Sequence, residues 1–216
     1  MARNDSTFHG WTLAEWSSQE AVGGDYAPVG QNNGLMNEAA DFGDGSADTA
    51  LVSYAQNSVL NGDFSFSCWI NFNTDGGYDG QGVISVGGTA QIGIRSYNGA
   101  VNFVIYTDNH AGYSGMQTPD LSLSEYTWTH AVFVKDSATM RIYLNGVEAA
   151  SADFTGTIIP GAGGPFSATD LLLGSNPWGY PLVGLIDEVG CWQRTLSAAE
   201  VSQLYNAGSG LPYEMF

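Results

Sequence analysis

Apolar and polar residues alternate along much of this chain with a period of two, the mark of strands buried on one face. The cleanest run is Phe64 to Phe72. Phe64, Phe66, Cys68, Ile70 and Phe72 fall on one side, while Trp69 lies on the other beside Ser67 and Asn71. A second run, Trp128 to Lys135, groups Trp128, His130, Val132 and Val134. Shorter strands are predicted at Ala39–Phe42, Ala50–Tyr54, Val83–Val86, Ala90–Arg95, Val101–Thr107, Met140–Leu144, Val147–Ser151 and Leu171–Leu173. Asn145-Gly146, between two of them, is the strongest short-range hairpin signal in the chain. The last long element, Leu182 to Gly208, changes period midway. Its first half reads as a strand with Leu185, Asp187, Val189 and Cys191 on one face, opposed by Ile186, Glu188 and Trp192. Its second half reads as a short helix, with Ser197 as N-cap, Glu200 closing a capping box and Gly208 as the C-terminal glycine.

About a dozen short strands and one terminal helix predict an all-β chain. The expected form is a jelly-roll β-sandwich of two antiparallel sheets with a short C-terminal helix. Residues 1–34 show no clear period and carry Phe8, Trp11 and Trp16 close together. They are expected to form an arm, and residues 35–216 the sandwich. The arm either packs back on its own sandwich or docks on a neighbouring subunit, which makes Phe8, Trp11 and Trp16 candidate interface residues.

Composition narrows the partners. The 216 residues hold 22 acidic and 5 basic side chains, a formal charge of −17. Phosphate backbones and anionic membranes would be repelled, so neither nucleic acid nor membrane insertion is expected. No apolar stretch reaches the length that crosses a bilayer. The opening MARNDSTFHGW has no apolar h-region, so no signal peptide is expected, and an extracellular role would need another route. The two cysteines, Cys68 and Cys191, both sit in strand patterns and read as buried free thiols rather than a disulfide.

Candidate chemistry is sparse. An aspartate at 187 among apolar strand residues needs neutralising, either by a metal ion or by backbone N–H donors. His9, His110 and His130 are far apart and accompany no Ser or Cys nucleophile motif. His130 reads as a hydrogen-bonded structural histidine. Aromatic residues recur in three predicted loops: Tyr78 and Asp79 in Thr74–Gly82, Tyr113 in Asp108–Asp120, and Asn176, Trp178 and Tyr180 in Gly174–Pro181. Aromatic rings beside amides or carboxylates form sugar-binding platforms, and Pro177 and Pro181 would hold Trp178 and Tyr180 stiff. Tyr78, Asp79, Tyr113, Asn176, Trp178 and Tyr180 are therefore candidate ligand residues, for a glycan or for a protein surface.

Three blocks, Phe64–Ile70, Trp128-Thr129-His130 with Ile142–Gly146, and Gly184–Val189 with Arg194–Ser197, resemble in order and spacing the laminin G-like domains of the concanavalin A-like lectin/glucanase superfamily. The resemblance covers roughly residues 35–208 and implies two stacked sheets in jelly-roll order, often with calcium. Asp187 matches the family's closing-strand aspartate, and Asp44 and Asp48 lie near its early aspartate turn; these three are the calcium ligands the resemblance implies. The superfamily's glycanases carry an alternating Glu-x-Asp-x-x-Glu strand, which this sequence lacks, so no enzymatic activity is expected. Domains similar to this one are often found on phage particles. The first expectation is therefore a non-enzymatic virion-surface protein, a decoration or fibre subunit assembled as a homo-oligomer. The alternatives are a module recognising cell-surface glycans and an accessory domain of a secreted glycanase.

Overall fold

The computed structural model describes residues 8–10, 29–34, 37–42, 50–53, 62–73, 79–86, 90–95, 98–108, 112–159, 170–175 and 180–211. They form two antiparallel sheets. The first contains β1 (Phe8–Gly10), β2 (Val29–Gly34), β3 (Asn37–Asp41), β5 (Phe64–Phe72), β10 (Thr129–Lys135), β11 (Thr139–Leu144), β12 (Val147–Asp153) and β14 (Gly184–Trp192). The second contains β4 (Ala50–Ser53), β6 (Asp79–Val86), β7 (Ala90–Arg95), β8 (Ala100–Tyr106), β9 (Tyr113–Gln117) and β13 (Asp170–Leu173). The order is β12-β11-β10-β5-β14-β3-β2 in the first sheet, with β1 also on β14, and β4-β13-β6-β7-β8-β9 in the second. One helix, α1 (Ala198–Tyr205), follows β14.

The alternation read along β5 decides the layering. Its phenylalanines, Cys68 and Ile70 are buried between the sheets with Ile84, Ile92, Phe103, Ile105 and Phe133. Phe103 of the second sheet meets Phe64 and Phe133 of the first edge-on, at ring-centroid distances of 6.2 and 5.7 Å. Edge-to-face contacts of this kind add to the area they bury. The opposite face of the first sheet is also covered. There Val132, Val134, Tyr143 and Trp192 pack under Leu196, Val201 and Leu204 of the helical segment. β10 is consequently buried at every position.

The terminal element keeps the predicted order of strand and helix with altered faces. β14 carries a bulge between Asp187 and Gly190, where Glu188 adopts φ 50°. The extra residue reverses the alternation. Ile186, Val189 and Cys191 therefore reach the inner core, while Asp187 pairs with Trp69 and Trp192 with Ser65 on the outer side. The expected grouping of Asp187 with Val189 and Cys191 is thereby corrected. The capping box forms as predicted: Ser197 Oγ accepts from Glu200 N, and Glu200 accepts from Ser197 N at 2.8 Å. The helix ends earlier than Gly208. Asn206 is its left-handed C-cap, and a 3₁₀ turn, Asn206–Gly208, follows.

Other local expectations fare unevenly. The Asn145-Gly146 turn joins β11 to β12 with both residues at positive φ, as a two-residue hairpin of this sequence requires. Cys68 and Cys191 are buried free thiols, and burial pushes both thiol pKa values upward. Phe8–Gly10 and Val29–Gly34, irregular by sequence, are strands paired with β14 and β3. Their short polar and glycine-rich segments have no period of their own, and pairing to an existing strand orders them.

Gly184 opens β14 at φ +142°, and a Cβ there would fall onto the Asn71 carbonyl oxygen and Phe72 Cα. Those are backbone atoms of β5 and cannot turn aside. Gly184→Ala should lower unfolding free energy by at least about 2 kcal/mol; a denaturant midpoint equal to the parent's would show that β5 and β14 separate easily at this point.

Candidate functional site

On the outer face of the first sheet a row of side chains runs across three strands. Asp187 of β14 is in register with Trp69 of β5, and Trp69 with His130 of β10. Tyr205, at the end of α1, stacks over Trp69 and His130 at 5.9 and 6.1 Å between centroids. His130 Nε2 and Ser67 Oγ share a 2.9 Å hydrogen bond, and the backbone N–H of His130 donates to Asn145 Oδ1. Its Nδ1 is buried and has no partner among the described residues. Burial pushes the imidazole pKa from 6.5 down to about 3, so His130 is neutral in the folded protein. It is the structural histidine that its strand position predicted. Asp187 is only 5% exposed, and one of its oxygens accepts from the Glu188 backbone N–H at 2.9 Å. Among the described residues no three His, Cys, Asp or Glu side chains converge as a metal cage. Asp44 and Asp48 lie outside the described residues.

The second sheet presents a different surface at its β8–β9 margin. Val101, Phe103 and Ile105 of β8 point into the core, so Asn102, Val104 and Tyr106 point away from it. β9 pairs them in register with Gln117, Gly115 and Tyr113. These residues and Met116 border an open groove of about 470 Å³. Gly115 forms its notch: a Cβ there would stand 3.2 Å from the Tyr113 ring and 3.4 Å from Val104 Cγ2. Tyr113 is half exposed, at 50%. Burial, then the neighbouring Tyr113, raises the Tyr106 phenol pKa above its ordinary value, so the Tyr106 hydroxyl keeps its proton at neutral pH. Gly93 of β7 is opposite Asn102, and a Cβ at that position would come within 2.8 Å of Asn102 Oδ1. That oxygen is buried against β7 and has no partner among the described residues. Ser114, on the inner side of β9, fixes the edge strand: its Oγ donates to Thr155 O at 2.7 Å and accepts from Thr155 N at 3.0 Å.

The candidate ligand residues distribute as follows. Tyr113 belongs to a strand rather than to the predicted Asp108–Asp120 loop, and stands at the groove. Asp79 likewise begins β6 instead of lying in a loop, in register with Arg95. Tyr180 is 42% exposed, and its carbonyl accepts from Gly82 N at the near side of β6. β6 and β9 are three strand spacings apart, roughly 14 Å, so one sugar ring cannot touch both Tyr180 and Tyr113. Tyr78, Asn176 and Trp178 lie outside the described residues, as do Trp11 and Trp16; Phe8 pairs through its backbone with Trp192. Sequence reasoning missed Asn102, Tyr106, Gly115 and Gln117. Alternation within Val101–Thr107 marks the first two as outward, but nothing local announces that β9 lies beside them.

Three of the basic side chains each have an acidic neighbour. Lys135 bonds Gly62 O and faces Asp63 at 3.7 Å, Arg141 pairs with Asp136 at 2.7 Å, and Arg194 pairs with Glu200 at 2.8 Å. Burial alone would raise the Asp136 pKa, but hydrogen bonds from Arg141, Ala138 and Thr139 outweigh it and hold the carboxyl well below the usual range.

The family model described as the concanavalin A-like lectin/glucanases superfamily matches residues 44–202. No curated protein sequence matches the chain. Among solved structures, the fold is similar to the binding domain of Paraclostridial Mosquitocidal Protein 1, with TM-score 0.63 and 15% identity over 84% of this chain and 46% of that one. It is also similar to the botulinum neurotoxin serotype G binding domain, with TM-score 0.63 and 17% identity over 87% and 46%. A third is the botulinum neurotoxin serotype D ligand binding domain solved in complex with N-acetylneuraminic acid, with TM-score 0.62 and 17% identity over 82% and 44%. The chain thus spans less than half the length of each of these binding domains.

The neutral His130 gives stability a defined acid limb. Above its ordinary pKa of 6.5, folded and unfolded chains both carry neutral imidazole and the residue is silent. Below that value the unfolded chain takes up a proton that the folded one refuses, down to about pH 3. Stability should fall by up to about 1.4 kcal/mol per pH unit in that window. The depressed Asp136 carboxyl contributes stability that is lost only at more acidic pH, below its ordinary 3.8. Melting curves between about pH 6.5 and 5 should therefore show a falling midpoint that His130→Gln flattens. Equal slopes in the two proteins would place the titrating group elsewhere.

Proposed function

We propose that this chain, which belongs to the concanavalin A-like lectin/glucanases superfamily, is a non-catalytic carbohydrate-binding module with its ligand seated in the β8–β9 groove. The observation that carries this reading is the groove's make-up. A half-exposed tyrosine ring stands over a glycine notch, with a second phenol and two side-chain amides in register beside it. An aromatic face packs against the C–H face of a sugar ring. Amides and phenols supply donors and acceptors for the hydroxyls, each net hydrogen bond contributing about 0.5–1.5 kcal/mol. Strands rather than loops hold these groups, which limits the entropy lost on binding.

The likeness to toxin binding domains supports a glycan-binding role over the virion-surface subunit that the sequence put first. One of those domains was solved with a sugar acid bound. The lack of a glycanase-type acid strand agrees with binding without turnover. Tyr113→Ala removes the platform and Gly115→Val fills the notch. Each should weaken glycan binding about tenfold or more in titration calorimetry, with melting temperature nearly unchanged. Unaltered affinity in both variants would move the ligand off this groove.

Calcium enters the proposal through the family resemblance, on Asp187 with Asp44 and Asp48. An ion that binds the native state alone raises the melting temperature. Melting in millimolar calcium against chelator is expected to show that rise; coincident curves would remove calcium from the account.

A further inference from the structure

We infer that the β8–β9 groove selects neutral glycans over acidic ones, an inference that rests on the glycan-binding reading above and gives its ligand class. None of the residues that border it, Asn102, Val104, Tyr106, Tyr113, Met116 and Gln117 among them, carries a charged side chain. A sugar carboxylate or sulfate seated there meets no counter-charge on these residues, so it lacks the charge-assisted bonds that would offset even partial loss of its hydration. Proteins that hold acidic groups do so with arginine forks or helix N-termini. Here Lys135, Arg141 and Arg194 are each held against a carboxylate of their own. Arg95 of β7 is in register with Asp79 of β6 and Ala100 of β8, neither of which borders the groove. The N-terminus of α1 is occupied by its own capping box and packs on the first sheet.

The field of the whole chain acts in the same direction. With 22 acids against 5 bases the molecule carries a formal charge of −17, and approach of an anion is opposed before contact. A neutral sugar meets neither barrier. It gains the ring contact with Tyr113 and the amide hydrogen bonds without desolvating a charge.

The test uses the full chain on an array of matched oligosaccharides, each present with and without a terminal sialic acid, followed by titration with the strongest matched pair. The neutral member is expected to bind at least about tenfold more tightly, equivalent to about 1.4 kcal/mol. Its affinity should not change with ionic strength, since no charge is neutralised. Gln117→Arg, which places a cation at the groove rim, should narrow the ratio. Sialylated glycans bound as tightly as their neutral partners would overturn the selectivity and leave the groove standing as a glycan site. A chain that binds no oligosaccharide of either kind would overturn the glycan-binding reading itself.

Discussion

The pairing of β5 with β14 is the contact on which the remaining structure depends. β5 turns four large side chains and Cys68 inward and is hydrogen-bonded along nearly its whole length to β14. The two strands meet in a register that a single bulge corrects midway. Before the bulge Ile186 faces the core; after it Val189 and Cys191 do. Without the extra residue one half of β14 would put its apolar side chains on the wrong face, because a one-residue slip exchanges the two faces of a strand. The same bulge turns Trp192 outward, where Val201 and Leu204 of α1 find it. One irregularity thus seats the strand in the inner core and provides the floor on which the helix packs.

This arrangement covers both faces of the middle of the first sheet, at β5, β10 and β14. Its inner face meets the second sheet, and its outer face is roofed by α1, Trp192 and the Trp69–His130–Tyr205 stack. The groove described above lies on the second sheet, at the β8–β9 margin. The edge there does not splay, because Ser114 and Thr155 tie β9 to the chain that leaves β12. The rigidity of the proposed site comes from the fold, and its chemistry comes from three outward side chains on β8 and their partners on β9.

What could be read from sequence divides by range. The inward face of β5, the existence of the strand β10, the Asn145-Gly146 hairpin and the Ser197–Glu200 capping box all rest on residues within a few positions of one another. Local spacing was enough for each. The bulge at Glu188 escaped because an inserted residue leaves the apolar content of a strand unchanged while reversing its phase. β9 escaped because Tyr-Ser-Gly-Met-Gln alternates weakly and lies between glycine and proline segments that mimic a loop. Tyr113 was visible as an aromatic with a use. Its companions Asn102, Tyr106 and Gln117 were not, since they become neighbours only through the register of two strands. Met116 shows the same limit: in a loop it carries no direction, whereas opposite Phe103 it packs on the core.

The groove's openness bears on how such a site would work. Closed pockets bury most of a ligand's surface and reach high affinity from one contact area. Tyr113, at half exposure, leaves one side of any sugar in water, and each hydroxyl that stays hydrated contributes little. A shallow neutral site of this kind binds weakly through each copy and discriminates by shape and hydrogen-bond pattern. Tight attachment to a sugar-coated surface then follows from presenting several copies together, because linkage turns later contacts into intramolecular ones. The acidic surface suits that use. Its like charges would oppose close approach of free copies, while the uncharged groove would let a neutral ring make contact without electrostatic cost.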